Sequence, residues 1–226
     1  MISGETRLVG LLGDPVSASL SPSMQNAAFA ARGLDWCYVP LEVKPDGLED
    51  ALRGLAALGF AGANVTTPHK RAAAELLGAD VPSVNTLVVT REGVRAASTD
   101  AAILAELEFE HAAILGDGGA AEAFGAALPQ ADRYARRGVW PPDVHDVDLV
   151  VNATSERDDV LVELPAGKTL VDLPYPATAT ARAAAANGAR VVDGLEVLVA
   201  QGAAAFELWT RVPAPVDVMR AAVRSA

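Results

Sequence analysis

Apolar residues recur along the chain in short dense runs, separated by stretches with helical periodicity. Residues 8–12 form the first run and predict a strand, and residues 24–31 carry apolar positions at helical spacing, closed by Gly33. The segment W-C-Y-V-P-L-E-V (36–43) returns to strand character. A helical pattern covers 47–58, a short buried strand falls within 59–66, and a further helix is opened by Thr67-Pro68. Strand and helix alternate, which predicts parallel βαβ units.

A second series starts near His111. It comprises a strand at 112–115, a glycine turn, an alanine-rich helix, a strand-like segment at 132–135, and strands at 148–152 and 169–172. One long helical pattern covers 195–209, followed by a proline-broken link and a terminal helix from Val216. Only the segment 138–147, with Pro141-Pro142 inside it, separates Arg137 from the next strand. A crossover that contains its helix needs at least about 10 to 12 residues, so one helix here is expected to be missing or reduced to a turn. No internal repeat and no Ser/Gly-rich linker interrupts the series.

At 226 residues the chain has room for one large domain or two modest ones. Hydrophobic residues make up 51% and charged residues 21%, with no apolar run long enough to cross a bilayer, so a soluble globular protein without a membrane partner is expected. The first residues lack the basic start and apolar core of a signal peptide, and Cys37 is the only cysteine. Both features predict a cytoplasmic, disulfide-free protein. The net charge of −11 argues against a nucleic-acid partner. An anionic ligand must therefore be held by a local cluster of donors. His69, His111 and His145 lack the spacing of a metal site, and no metal is expected.

Candidate chemistry appears first at Gly116-Asp117-Gly118-Gly119-Ala120-Ala121, which lies between a strand and a helix and fits G-x-G-x-x-A. Small residues there let the backbone approach a pyrophosphate at a helix N-terminus, although such turns also arise for packing. Asp117 and Glu122 would repel a nearby phosphate. Where an NAD site places an acid after its second strand, this chain has Arg136-Arg137, which suits the 2′-phosphate of NADP; a solvated turn is the competing reading.

Several segments together resemble shikimate dehydrogenase: S-L-S-P-S-M-Q-N-A-A-F, G-A-N-V-T-T-P-H-K, S-V-N-T-L, S-T-D, G-D-G-G-A-A, D-L-V-V-N-A-T-S, D-L-P-Y and D-G-L-E-V-L-V-A-Q-G-A-A-A-F-E-L-W-T. They span nearly the whole chain in the family's order. The resemblance implies an α/β substrate-binding catalytic domain from 1–100 plus 195–226, and a reduced Rossmann-type NADP-binding domain at 101–194. It implies that Ser19, Ser21 and Tyr175 bind the substrate carboxylate. It further implies that Thr66, Asn85 and Gln201 contact the hydroxyls, and that Lys70 and Asp100 form the catalytic pair. Gly116, Gly118, Gly119, Ala120, Arg136, Arg137, Leu173 and Gly194 fall where the family meets its nucleotide. The chain departs from the family at Ala18 and Gln25, where histidines are common, and at Val197, where methionine is usual. Pro176 also crowds the tyrosine segment.

Each residue also has a plainer reading. Lys70 near the start of a helix puts an ammonium at the positive end of the dipole, which a neighbouring anion would explain, but an exposed lysine can also swing into solvent. Apart from the resemblance, Asp100 reads as the N-cap of the segment after it, and Ser21-Pro22 as a cap followed by a first-turn proline. Asn85 and Gln201 read as a turn residue and a helix-surface amide, and Tyr175 as a core aromatic. An ammonium beside a carbonyl that receives a hydride stabilises the developing oxyanion and donates its proton, a role that fits Lys70 with Asp100 as partner. The expected function is NADP-dependent reduction of 3-dehydroshikimate to shikimate, with NAD as a second cofactor option and a homodimer compatible with the chain. The rivals are a quinate dehydrogenase and a non-catalytic shikimate-binding protein with a degenerate nucleotide domain.

Overall fold

The computed structural model describes residues 2–225. It divides into two compact units, Met1–Thr99 with Val199–Ala226, and Asp100–Leu198.

The first unit begins with strand β1 (Arg7–Gly13), helix α1 (Ser21–Ala31) and strand β2 (Trp36–Glu42). Helix α2 (Leu48–Ala57), strand β3 (Gly62–Val65) and helix α3 (Lys70–Leu77) follow, and strands β4 (Thr86–Thr90) and β5 (Gly93–Ala97) close the series. The sheet order is β2-β1-β3-β4-β5. The first three strands are parallel, as alternation predicts, whereas β4 is antiparallel to β3 and β5 is antiparallel to β4. The parallel βαβ units read from the alternation are those of β1 to β3, and β4 and β5 add an antiparallel pair that the reading did not include. The turn Arg91-Glu92 between β4 and β5 is too short for a crossover, and a short turn forces antiparallel pairing. Leu12, Leu48, Leu52, Leu55, Phe60 and Val65 form a buried core under this sheet.

The second unit contains β6 (Ala112–Leu115), α4 (Gly119–Ala127), β7 (Asp132–Tyr134), β8 (Leu149–Asn152), β9 (Thr169–Asp172), α5 (Ala179–Ala186) and β10 (Arg190–Val192). Its five strands are all parallel, in the order β10-β9-β8-β6-β7. β6 and β8 are buried along their whole length, as strands covered on both faces must be. The order equals a Rossmann sheet that has lost one outer strand. Among the described residues there is no helix between β7 and β8, and no strand extends the sheet beyond β7. The shortened link therefore lacks a strand as well as the crossover helix expected from its length.

The chain ends in α6 (Gly194–Thr210) and α7 (Val216–Arg224). From Val199 onwards these residues belong to the first unit. Phe206 stacks on Phe29 at 5.4 Å, and the Trp209 indole donates to the Leu87 carbonyl at 2.8 Å, which ties α6 to α1 and to the sheet. No helix among the described residues is long and apolar enough to cross a membrane.

Candidate functional site

In the first unit, Ser21 is the first residue of α1 rather than its cap. The cap position is Leu20, in helical conformation and with no side-chain cap bond. The role assigned to Ser21 instead belongs in part to Ser19, whose Oγ accepts the Ser21 backbone N–H at 3.2 Å. A serine two residues ahead reaches that N–H in an ST-turn, which leaves the Ser21 hydroxyl for other work. That hydroxyl bonds the phenol of Tyr38, a fully buried ring whose pKa is driven upwards by desolvation. The Tyr38 hydroxyl donates to Asn64 Oδ1 at 2.9 Å, and Asn64 Nδ2 donates to the Asn85 carbonyl at 2.9 Å and to Thr86 Oγ1 at 3.1 Å.

Asn85 is the hub of this network and is buried. Its Nδ2 donates to Thr99 Oγ1 at 3.0 Å and to Gln201 Oε1 at 3.2 Å, while its Oδ1 accepts the Thr99 backbone N–H at 2.7 Å. Neither the turn reading of Asn85 nor the helix-surface reading of Gln201 holds, because the two amides bind each other. Buried polar groups are costly unless satisfied, and these bonds join Ser21, Asn85 and Gln201 in one connected set. Tyr38, Asn64, Thr86 and Thr99 are its members that sequence reasoning missed. The available signal was polar Asn64 inside an otherwise apolar buried strand. Gln25 is buried and donates to the Gly202 carbonyl at 2.9 Å.

Thr66 and Lys70 lie on the turn that joins β3 to α3. The Thr66 carbonyl accepts the His69 N–H at 2.9 Å, and the buried His69 ring nitrogen Nε2 lies 2.7 Å from the Val43 carbonyl, so it carries the proton there. His69 thus anchors the turn. The helix expected to open at Thr67-Pro68 begins at Lys70, with His69 in the cap position, because the 66–69 turn precedes it. Lys70 is half-buried at the dipole's positive end. Asp100 is buried in the second unit. It does not cap an α-helix: the following residues form a 3-10 turn, Ala102–Glu106, whose cap position is Ala101.

In the second unit, the sheet order changes direction between β6 and β8, and ligands of open α/β sheets bind beyond the strand ends at such a point. A cleft of about 420 Å³ opens there. Its walls come from the turn after β6 (Gly116, Asp117, Gly118), the segment after β7 (Arg136, Arg137, Trp140) and the turn after β8 (Thr154, Ser155, Glu156). Gly116 has φ +122°, and a Cβ on it would sit 2.8 Å from the Ala153 carbonyl, so only glycine fits. Gly118 occupies the cap position of α4 and offers no side-chain cap, while Gly119 and Ala120 form its first turn. The small residues leave the backbone N–H groups accessible to an anion. Glycines and arginines at a strand-end cleft fit a phosphorylated dinucleotide.

Leu173 and Gly194 lie together rather than in that cleft. A Cβ on Gly194 would meet the Pro174 carbonyl at 2.6 Å and the Leu173 carbonyl closer still. Tyr175 is half-buried, and Arg157 donates to the Tyr175 and Pro176 carbonyls at 3.1 Å each, pinning that segment. Beneath the cleft, buried Asn152 donates to Asp172 at 2.7 Å and accepts from the Thr154 hydroxyl at 2.8 Å, while Asp172 accepts from Thr178, the N-cap of α5. This network orders the Thr154 turn. Its signal in the sequence was a polar residue ending each of two apolar strands. Among the described residues, no group of three or more metal-ligating side chains is present.

A two-part α/β architecture with a Rossmann-type unit and a buried amide network in its companion defines a dinucleotide-dependent class of enzyme. The chain belongs to the shikimate dehydrogenase family. Residues 11–87 match the shikimate dehydrogenase substrate binding domain, and residues 194–224 match the shikimate 5′-dehydrogenase C-terminal domain. The NADP(+) shikimate dehydrogenase of Anaeromyxobacter dehalogenans strain 2CP-C is 40% identical over 276 aligned positions, covering 98% of this chain and 97% of that protein. The alignment is longer than the chain, so that relative carries segments without a counterpart here. Among solved structures, a shikimate dehydrogenase in complex with NADP+ superposes with a TM-score of 0.88 at 28% identity, covering 100% of this chain and 97% of the other. The Thermus thermophilus enzyme, in complex with NADP(H) and shikimate, gives 0.84 at 30% identity, with 97% and 99% covered.

Proposed function

We propose that the chain catalyses the NADP-dependent interconversion of 3-dehydroshikimate and shikimate. The observation that carries this reading is the 40% identity to an NADP(+) shikimate dehydrogenase along 98% of the chain. Ser19, Ser21 and Tyr175 are assigned to the substrate carboxylate, and Thr66, Asn85 and Gln201 to its hydroxyls. The turn residues Gly116 to Ala120, together with Arg136 and Arg137, hold the nucleotide, and Leu173 and Gly194 are assigned to the same nucleotide by the resemblance. NADPH, when bound, supplies the hydride.

The remaining requirements fall on the chain. The substrate carbonyl gains negative charge as it is reduced, and the Lys70 ammonium stabilises that oxygen and donates the proton, with Asp100 as its partner. Asn85 is supported here by its own bonds to Thr99 and Gln201, which fix the amide's orientation before substrate arrives.

Incubation of the enzyme with shikimate and NADP+ at alkaline pH is expected to produce reduced-nicotinamide absorbance, with quinate turned over more slowly. Lys70→Ala is expected to lower kcat by about 10²- to 10⁴-fold while the KM for shikimate changes little. Absence of shikimate-dependent NADP+ reduction by the wild type would overturn the proposal.

A further inference from the structure

Arg136 does not present a bare guanidinium to the nucleotide cleft. Its Nη2 lies 3.5 Å from Glu156 Oε2 and 3.5 Å from Asp159 Oδ2, and its central carbon lies 5.6 Å from the ring centre of Trp140. The two acids differ in how firmly they are held. The Asp159 side chain is 69% exposed and can turn into water, whereas that of Glu156 is 28% exposed. Glu156 Oε1 also accepts the backbone N–H groups of Arg157 at 3.0 Å, Asp158 at 3.1 Å and Asp159 at 3.4 Å. The bonds from Asp158 and Asp159 in particular hold its carboxyl below the usual range, so it is an anion at neutral pH. Arg137 pairs with no carboxylate among the described residues, so the two adjacent arginines are electrostatically unequal.

This arrangement bears on which dinucleotide the cleft prefers, and it rests on reading the cleft as a dinucleotide site. A 2′-phosphate carries about −1.5 to −2 charges and must share Arg136 with a carboxylate that the backbone will not release. An unphosphorylated ribose has hydroxyls that can donate to the same carboxylate and incurs no such repulsion. We propose that Glu156 is a specificity-determining residue that weakens the grip of Arg136 on the 2′-phosphate and so narrows the preference for NADP over NAD. The short link after β7 contributes by bringing Trp140, rather than a helix, near the guanidinium.

The test is Glu156→Gln, which keeps an oxygen for the three backbone N–H groups and removes the charge. NADP+ and NAD+ are titrated calorimetrically into the wild type, E156Q, R136Q and the double variant, with melting temperature as a folding control. E156Q is expected to bind NADP+ about five- to tenfold more tightly, the effect of deleting one charge near a phosphate, with NAD+ unchanged or weaker. In the R136Q background the same substitution is expected to change NADP+ affinity by less than about twofold, since the carboxylate acts through Arg136. Equal changes for the two nucleotides in E156Q, or none, would overturn the inference while leaving the cofactor reading intact. A wild type that binds neither nucleotide overturns both.

Discussion

Asn85 shows what a single side chain contributes at this site. Its amide and backbone carbonyl together engage Asn64, Thr86, Thr99 and Gln201, so that truncation would strand several buried partners at once. Each unsatisfied buried group costs about 1–3 kcal/mol. Asn85→Ala is expected to destabilise the protein by at least about 2 kcal/mol, whereas Tyr38→Phe, which removes one hydroxyl between Ser21 and Asn64, should cost about 1–2 kcal/mol. Urea unfolding of both variants checks this ordering, and a Tyr38→Phe protein less stable than Asn85→Ala would contradict it. Asn85 and Gln201 were legible through the motifs that contain them, but their pairing was not. Asn85 and Gln201 are 116 positions apart, and no local pattern encodes a bond over that separation. Ser19 and Ser21 illustrate the converse: both were singled out, yet their capping duties were exchanged, because an ST-turn and an N-cap place serine within two residues of the same helix start.

Elements were legible in proportion to how far their signal was local. The strand at Ala112–Leu115 is a continuous apolar run bounded by polar residues, and it falls where the pattern puts it. β4 and β5 escaped notice because each is only five residues long and the edge strand β5 mixes Gly, Val, Arg and Ala without a clean period, and α5 because its alanine-rich stretch lacks an apolar stripe. The truncated link after β7 was readable from length alone, since a crossover cannot be built from too few residues, but the lost strand required the sheet order to be seen. The entry to α6 depends on close approach rather than on propensity. Gly194 lies against the carbonyls of Leu173 and Pro174, and neither backbone oxygen can move without disturbing the turn after β9. Gly194→Ala is therefore expected to destabilise the protein by about 1–3 kcal/mol despite alanine's higher helix propensity. Thermal unfolding that shows a gain in stability would refute the packing argument.

At the scale of the whole molecule, charge sets the response to acid. The chain carries a net charge of −11 at pH 7, so lowering the pH towards the isoelectric point near 4.7 first relieves self-repulsion. Against this general relief stand individual carboxylates of the second unit. Burial tends to raise the Asp148 pKa, but the N–H groups of Glu110 and His111, each donating at 2.8 Å, outweigh it and hold the carboxyl below its ordinary value. Glu156 is lowered by its own backbone donors. A carboxylate whose folded pKa is depressed contributes stability that is present above its unfolded pKa and is lost as the pH falls through the folded value. With unfolded values near 4, that loss begins below about pH 5 and continues down to the folded pKa values. Asp148→Asn keeps one acceptor oxygen and abolishes the titration. The wild type is therefore expected to melt higher than D148N at pH 7, the gap closing progressively as the pH falls below about 4. A gap that stays constant across this range would mean that the geometry of the Asp148 side chain, and not its charge, holds the start of β6 to β8.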